Sequence, residues 1–309
     1  MLCTLPRRLI ATSFLACTML VLPGCATQPG SLLPQVNRPQ DWGPAISAAV
    51  DGRLLPLLNQ RPPAQILLLG EQHDAPHHHV LEYQVVASLL RHGRLGVLAL
   101  EMAEQGRSTA GLKPYASEDR VQNALAWNDG AWPWADYGPA IMAAVREEVP
   151  VIGANLPRQL QREAMRNEAL DGLLTADNLK KQEDAIVEGH CGLLAISQIR
   201  PMTRIQMARD QTMAQTLVQA LKTIPPPSID QVRGIKPVVL LIAGRFHVDR
   251  QLGVPQQLPA DLPVKVISLE SEGATGPQTL SDAVWPTAPT LAKDYCAAFK
   301  DSRPPIAQP

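Results

Sequence analysis

The chain predicts an α/β fold: a mainly parallel sheet with helices on both faces, plus an inserted helical subdomain. Five short apolar runs, each ended by glycine or a polar residue, alternate with amphipathic stretches, the pattern of strands buried on both sides. A stretch of about 65 residues with helical periodicity throughout then interrupts that alternation.

In chain order, residues 45–58 form an amphipathic start and 66–69 the first strand, which leads to Gly70, Glu71 and His73. Residues 78–91 continue as a helix, with Pro76 in the first turn, where its missing N–H costs little. Residues 97–100 form a strand leading to Glu101, 139–148 a helix, and 149–152 a strand leading to Gly153 and Asn155. Between 157 and 221 the helices run over 160–174, 178–188 and 203–221. Met202, Met207 and Met213 near the last of these suit gap-filling core or the wall of a flat organic cofactor. The sheet resumes at 238–243, leading to Gly244 and His247, and at 264–269, leading to Glu270. Residues 41–156 and 223–299 thus read as the α/β domain and 157–222 as the helical subdomain.

With 309 residues, 45% of them apolar, the chain can bury one large core. Its net charge of −1 gives no reason to expect nucleic acid, which favours a basic surface. Arg7 and Arg8 precede an apolar stretch, 9–22, too short and poorly flanked for a transmembrane helix. Leu22, Pro23, Gly24 and Cys25 resemble a bacterial lipobox, so residues 1–25 read as a lipoprotein signal with Cys25 as the lipidated first residue. An ordinary cleaved signal with an incidental cysteine is the alternative. Ala26 after the cysteine points to outer-membrane retention, and the polar, proline-containing residues 26–40 read as a tether. Cys191 and Cys296 remain; an oxidising periplasm permits them to pair, and the sequence leaves a disulfide and two free thiols both open.

Ligands of parallel sheets bind beyond the carboxyl ends of the strands. Glu71, His73, Glu101, Asn155 and His247 converge there if their strands are neighbours. A polar strand end explains any one of them, but not two Gly-x-x-His elements, Gly70 to His73 and Gly244 to His247, in equivalent places. The stretch ILLLGEQHDAPHHH also gathers Glu71, His73, His77, His78 and His79 within ten residues of a chain that has seven histidines. Helical spacing aligns His78 with Leu81, Val85 and Leu89, facing the core or a cavity, with His77 and His79 flanking that stripe. Such imidazoles serve as metal ligands or bases, or are satisfied residues of a helix N-terminus.

The ordered motifs GEQHDAPHHHVLEYQ, LALEM, WNDGAWPWADYGP, VPVIGANLPRQ, EGHCGLL with QMARDQTMA, LLIAGRFHVDRQLGVPQQL and KDYCAAF resemble the ChaN-like family of haem-binding lipoproteins. That family shares a superfamily with Tiki proteins, TraB proteins and erythromycin esterases. The resemblance runs from Ile66 to Phe299. It places Glu71, His73, Asp74, His78 and His79 on the first motif and Trp134, Tyr137 and Pro139 on the aromatic one. Asn155, Pro157 and Arg158 fall on the third, His190, Cys191, Gln206 and Asp210 on the helical ones, and Gly244, His247, Gly253, Val254 and Pro255 on the last. Arg245 and Phe246 depart from it, standing where relatives carry small residues.

What the resemblance implies is a haem-binding lipoprotein of the bacterial outer membrane, on its periplasmic side or at the cell surface. It would be anchored to the bilayer by its lipid, serve an outer-membrane haem-uptake system in iron acquisition, and pair as a homodimer around haem. The expected haem-binding residues are His77, His78, Tyr83, Tyr137 and Arg158, the last as a bidentate partner for a propionate. Among the tyrosines, Tyr83 shares the histidine helix and Tyr137 a matched motif, ahead of Tyr115 and Tyr295. The alternative is a Tiki-like or esterase-like hydrolase, with a divalent metal on His73, Glu101 and His247 and Glu71 as general base.

Overall fold

The computed structural model describes residues 44–225, 236–274, 278–291 and 293–297. The signal segment, Cys25 and the tether lie outside the described residues. Six strands form one parallel sheet: β1 (Ile66–Glu71), β2 (Leu95–Glu104), β3 (Val151–Asn155), β4 (Val238–Gly244), β5 (Val264–Ser271) and β6 (Ala283–Thr287), in the order β3-β2-β4-β1-β5-β6.

Strand alternation divides the apolar residues between two layers. Leu67, Leu69, Leu98, Leu100, Leu240, Ile242, Ile267 and Leu269 face one core, shared with helices α1 (Pro44–Leu58), α2 (Pro76–Arg91), α3 (Glu118–Leu125) and α4 (Trp134–Arg146). Ile66, Leu68, Val97, Ala99, Val239, Leu241, Ala243 and Val266 face the other. Covering both faces is why these strands read as continuous apolar runs.

The second face is covered by the C-terminal half of a 28-residue helix, α7 (Ile196–Thr223), through Met213, Ala214, Leu217 and Ala220. Two further helices precede it, α5 (Gln161–Ala164) and α6 (Ala176–Gly189). The N-terminal half of α7 contributes Ile205, Met207 and Ala208 to a smaller cluster with Leu156, Ala164, Leu170, Leu174 and Leu179. One helix therefore belongs to both the sheet core and the helical layer.

Three expectations change. The helix expected over 160–174 is a 3-10 turn at Arg158–Leu160, the single turn of α5 and a second 3-10 segment at Glu168–Leu173. Asn167 starts that segment by accepting the Ala169 N–H, and Arg204 of α7 grips Asp171 with two hydrogen bonds of 2.8 and 2.7 Å. α4 begins at Trp134, five residues earlier than expected, because the Asp129 carboxylate accepts the Trp134 N–H at 2.7 Å. The strand β6, absent from the expectation, sits at the sheet edge, where its Pro286 is tolerated. Among the described residues no helix is long and apolar enough to cross a membrane.

Candidate functional site

The carboxyl ends of β1, β4 and β2 lie side by side, and the middle strand ends in a glycine. Glu71 pairs in register with Gly244, so Glu71 and Glu101 flank a backbone that has no side chain. His73 occupies that space: a Cβ on Gly244 would lie 2.8 Å from its Nε2. Gly70 is equally constrained, since a Cβ there would meet Val248 at 2.3 Å. These close approaches explain why both Gly-x-x-His elements need their glycines.

Glu101 is the hub. Its Oε2 accepts the Gly244 N–H at 2.7 Å and lies 3.6 Å from His73 Nε2, while its Oε1 is 3.2 Å from His247 Nε2. His247 is held from its other side by Asp210 of α7, Nδ1 to Oδ1 at 2.6 Å, with Gln206 3.1 Å from the same nitrogen. Burial works against charging either partner, yet Glu101 and Asp210 push the His247 imidazole up to about 10, and His247 and His73 hold the Glu101 carboxyl well below the usual range. Burial lifts Asp210 to about 6 despite His247.

A second layer lies beneath His73. Glu71 Oε1 accepts both His73 Nδ1–H at 2.8 Å and the Tyr137 hydroxyl at 2.9 Å. Glu71 Oε2 is 3.6 Å from His79 Nδ1, which is 3.3 Å from Glu82 Oε2. Burial and the neighbouring Glu71 raise Glu82 to about 8; Glu82, Glu71 and Asp136 outweigh the burial of His79 and raise it to about 9.

Above this network opens a cleft of about 300 Å³, lined by His73, Asp74, Pro76, His79, Ala131, Trp132, Pro133 and Asp136. The Trp132 ring meets the His73 ring edge-on at 4.7 Å. The tryptophan loop is pinned by Trp127 Nε1–H donating to Trp132 O at 2.8 Å. At the rim, the exposed Tyr295 hydroxyl donates to Asp74 Oδ2 at 2.7 Å, and Lys293 Nζ lies 3.2 Å from the same oxygen. A disulfide between Cys191 and Cys296 fixes the adjoining backbone (S–S 2.07 Å, Cα–Cα 5.6 Å).

The structure thus brings Glu71, His73, Glu101 and His247 into one contact network. Asn155 ends β3 at the sheet edge and takes no part in it. The residues expected at haem are dispersed. Tyr137 is 1% exposed with its hydroxyl committed to Glu71, and burial with Glu71 raises its pKa, so it is not presented to an iron. Tyr83 packs partly buried against the main core. Arg158 is exposed, its backbone N–H donating to Glu104 at 2.9 Å. His77 is half-buried with Nδ1 unpartnered.

His78 faces the core, as its helical spacing predicts, and both ring nitrogens are engaged: Nδ1 accepts the Gln72 N–H at 2.9 Å and Nε2 lies 3.4 Å from Ser271 Oγ. Burial drives its pKa down to about 3. The unfolded chain takes up a proton near pH 6.5 that the folded ring refuses, so the stability His78 contributes above that pH is lost as the pH falls toward 3. Urea denaturation is expected to show about 2 kcal/mol lost through this group between pH 7 and 5. The loss is expected to disappear in His78→Asn, which keeps an acceptor for Gln72.

Glu82 and Trp132 escaped the sequence reading, while His79, Gln206 and Asp210 are placed on motifs by the resemblance without a role in this network. His79 and Glu82 stand three apart on α2, the spacing that signals a shared helix face. Asp210 and Gln206 are one helical turn apart on α7, but their strand-end partner His247 is 37 residues from Asp210. Trp132 carried no signal beyond its motif.

A family model described as "Haem-binding uptake, Tiki superfamily, ChaN" matches residues 57–258. Among solved structures, one described as cofacial heme binding to ChaN of Campylobacter jejuni aligns with a TM-score of 0.56 at 21% identity, covering 72% of this chain and 88% of that one. The type III effector HopBA1 aligns at 0.37 and 16% identity (73% and 88% covered), and a Bacillus cereus protein at 0.35 and 13% (73% and 70% covered). No curated protein matches. The family match spans the first four of the six strands, α7 and every residue that lines the cleft, and the chain belongs to the ChaN family of the Tiki superfamily, the haem-binding uptake proteins.

Proposed function

We propose that this protein binds haem at the cleft beyond the strand ends, as a lipid-anchored envelope protein serving iron acquisition. The observation that carries the reading is the family match, within which the whole cleft lies. The cleft's chemistry fits the group. Trp132, Pro133, Pro76 and Ala131 offer an apolar, partly aromatic wall suited to a porphyrin face, and the rim supplies oxygen and nitrogen donors of the kind that hold ferric iron. Bound haem supplies that iron. About 300 Å³ is the lower end of small-molecule pockets, so the cleft seats one face or edge of a haem and leaves the rest for a second copy of the chain.

Tyr295 is the tyrosine whose oxygen stands at the rim, its hydroxyl held by Asp74, with Lys293 beside it to pair with a propionate. Arg158, exposed on the 3-10 turn that follows β3, is the further propionate partner that the family resemblance implies. Titrating the full-length protein in detergent with hemin is expected to give a saturable Soret shift that weakens in Tyr295→Phe. A non-saturating, linear response would overturn the reading.

A second reading, metal-dependent hydrolysis, draws on the bridging of His73 and His247 by Glu101 beside Glu71. Turnover in a screen of esters and peptides with added divalent metal supports it, and an inert protein counts against it.

A further inference from the structure

We propose that Glu71, His79 and Glu82 form a buried divalent-cation site beneath the cleft floor, separate from the Glu101–His247 crevice. Among the described residues these are the three histidine or acidic side chains whose donor atoms converge, all within 4.8 Å of one another. Their closest pairs, 3.3 Å between His79 Nδ1 and Glu82 Oε2 and 3.6 Å between His79 Nδ1 and Glu71 Oε2, match the roughly 3–3.5 Å edge between ligands bound at about 2.0–2.2 Å. His73, Glu101 and His247 do not converge this way, because Glu101 turns one oxygen to each imidazole.

A second observation points to a ligand. Glu71 Oε2 and Glu82 Oε1 are buried with no hydrogen-bond donor from outside the cluster, and both residues are only 1% exposed. Buried carboxylate oxygens are ordinarily satisfied, and among the described residues the imidazoles of His73 and His79 are the cationic partners of these two groups, with no lysine or arginine beside them. A cation between them supplies the missing partner.

The surroundings are those of a metal ligand set. His79 Nε2–H donates to the His73 carbonyl at 3.1 Å, which fixes the ring with Nδ1 facing Glu82 and Glu71, and an ion bound there displaces the proton that Nδ1 shares with Glu82. The other oxygen of Glu71 is fixed by Tyr137 and His73. His79 also lines the cleft, giving an ion a way in from solvent. Two carboxylates and one imidazole suit manganese or zinc. The site lies directly under the haem cleft but does not depend on haem being bound there.

The test is titration of the full-length, metal-stripped protein with Mn²⁺ and Zn²⁺ by calorimetry, with thermal melting alongside. One equivalent is expected to bind and raise Tm. Glu82→Gln and His79→Gln, each shown folded by circular dichroism, are expected to lose at least about tenfold in affinity and most of the Tm increase. His247→Gln is expected to bind as the wild type does. Absence of stoichiometric binding overturns the proposal. So does binding that survives Glu82→Gln but is lost in His247→Gln, which would place the ion in the crevice. Hemin titration of Glu82→Gln keeps the two readings apart, because haem affinity there reports on the cleft alone.

Discussion

Replacing Glu101 with alanine is expected to lower stability by about 3–5 kcal/mol, the cost of breaking a buried ion pair by removing one partner. Glu101 is 4% exposed and serves three groups at once: His247, His73 and the Gly244 N–H. Its loss leaves the buried His247 with Asp210 as its one acidic partner and the Gly244 amide without an acceptor. Glu101→Gln keeps an oxygen for the amide but not the charge, so its cost is expected to lie between wild type and Glu101→Ala. Urea denaturation at neutral pH measures both. A loss below about 1 kcal/mol for the alanine variant would show that Glu101 is not the hub described.

Breaking the Cys191–Cys296 disulfide is expected to be at least as large a change. The bridge closes a loop with a sequence separation of 105, for which unfolded-chain entropy gives about 4–5 kcal/mol. Its reach is also local. Cys296 follows Tyr295, whose hydroxyl contacts Asp74 at the cleft rim, so the bond holds the C-terminal segment against the site. Denaturation with and without a phosphine reductant, and of Cys296→Ser, is expected to show the loss, with weaker hemin binding under reduction. Equal midpoints in all three would contradict the assignment.

The sheet was legible because its strands are buried on both faces. Continuous apolar runs ending at Gly70, Glu101 and Gly244 marked their carboxyl ends, and the convergence of Glu71, His73, Glu101 and His247, expected if their strands are neighbours, is met by the order β2-β4-β1, whereas Asn155, expected with them, ends the edge strand β3. What was not legible depended on pairings across the chain. Asp210 meets His247 only because α7 lies over the sheet, and Tyr137 is turned inward by a carboxylate 66 residues away. Residues 158–174 have helical spacing, but a proline before them, the Asn167 side-chain bond and the Arg204–Asp171 clamp divide them into short turns. The histidine run also divided differently from its pattern. His78, on the apolar stripe, is sealed in the core, whereas His79 reaches both the buried acids and the cleft.

That the cleft is the haem site is tested most directly by filling it. Ala131 is exposed on the cleft wall beside Trp132, so Ala131→Trp adds bulk to the opening without disturbing the core. In parallel hemin titrations the wild type is expected to saturate with a shifted Soret band, while Ala131→Trp, with an unchanged melting temperature, loses saturable binding. Identical titration curves for the two proteins would contradict the placement of haem in this cleft.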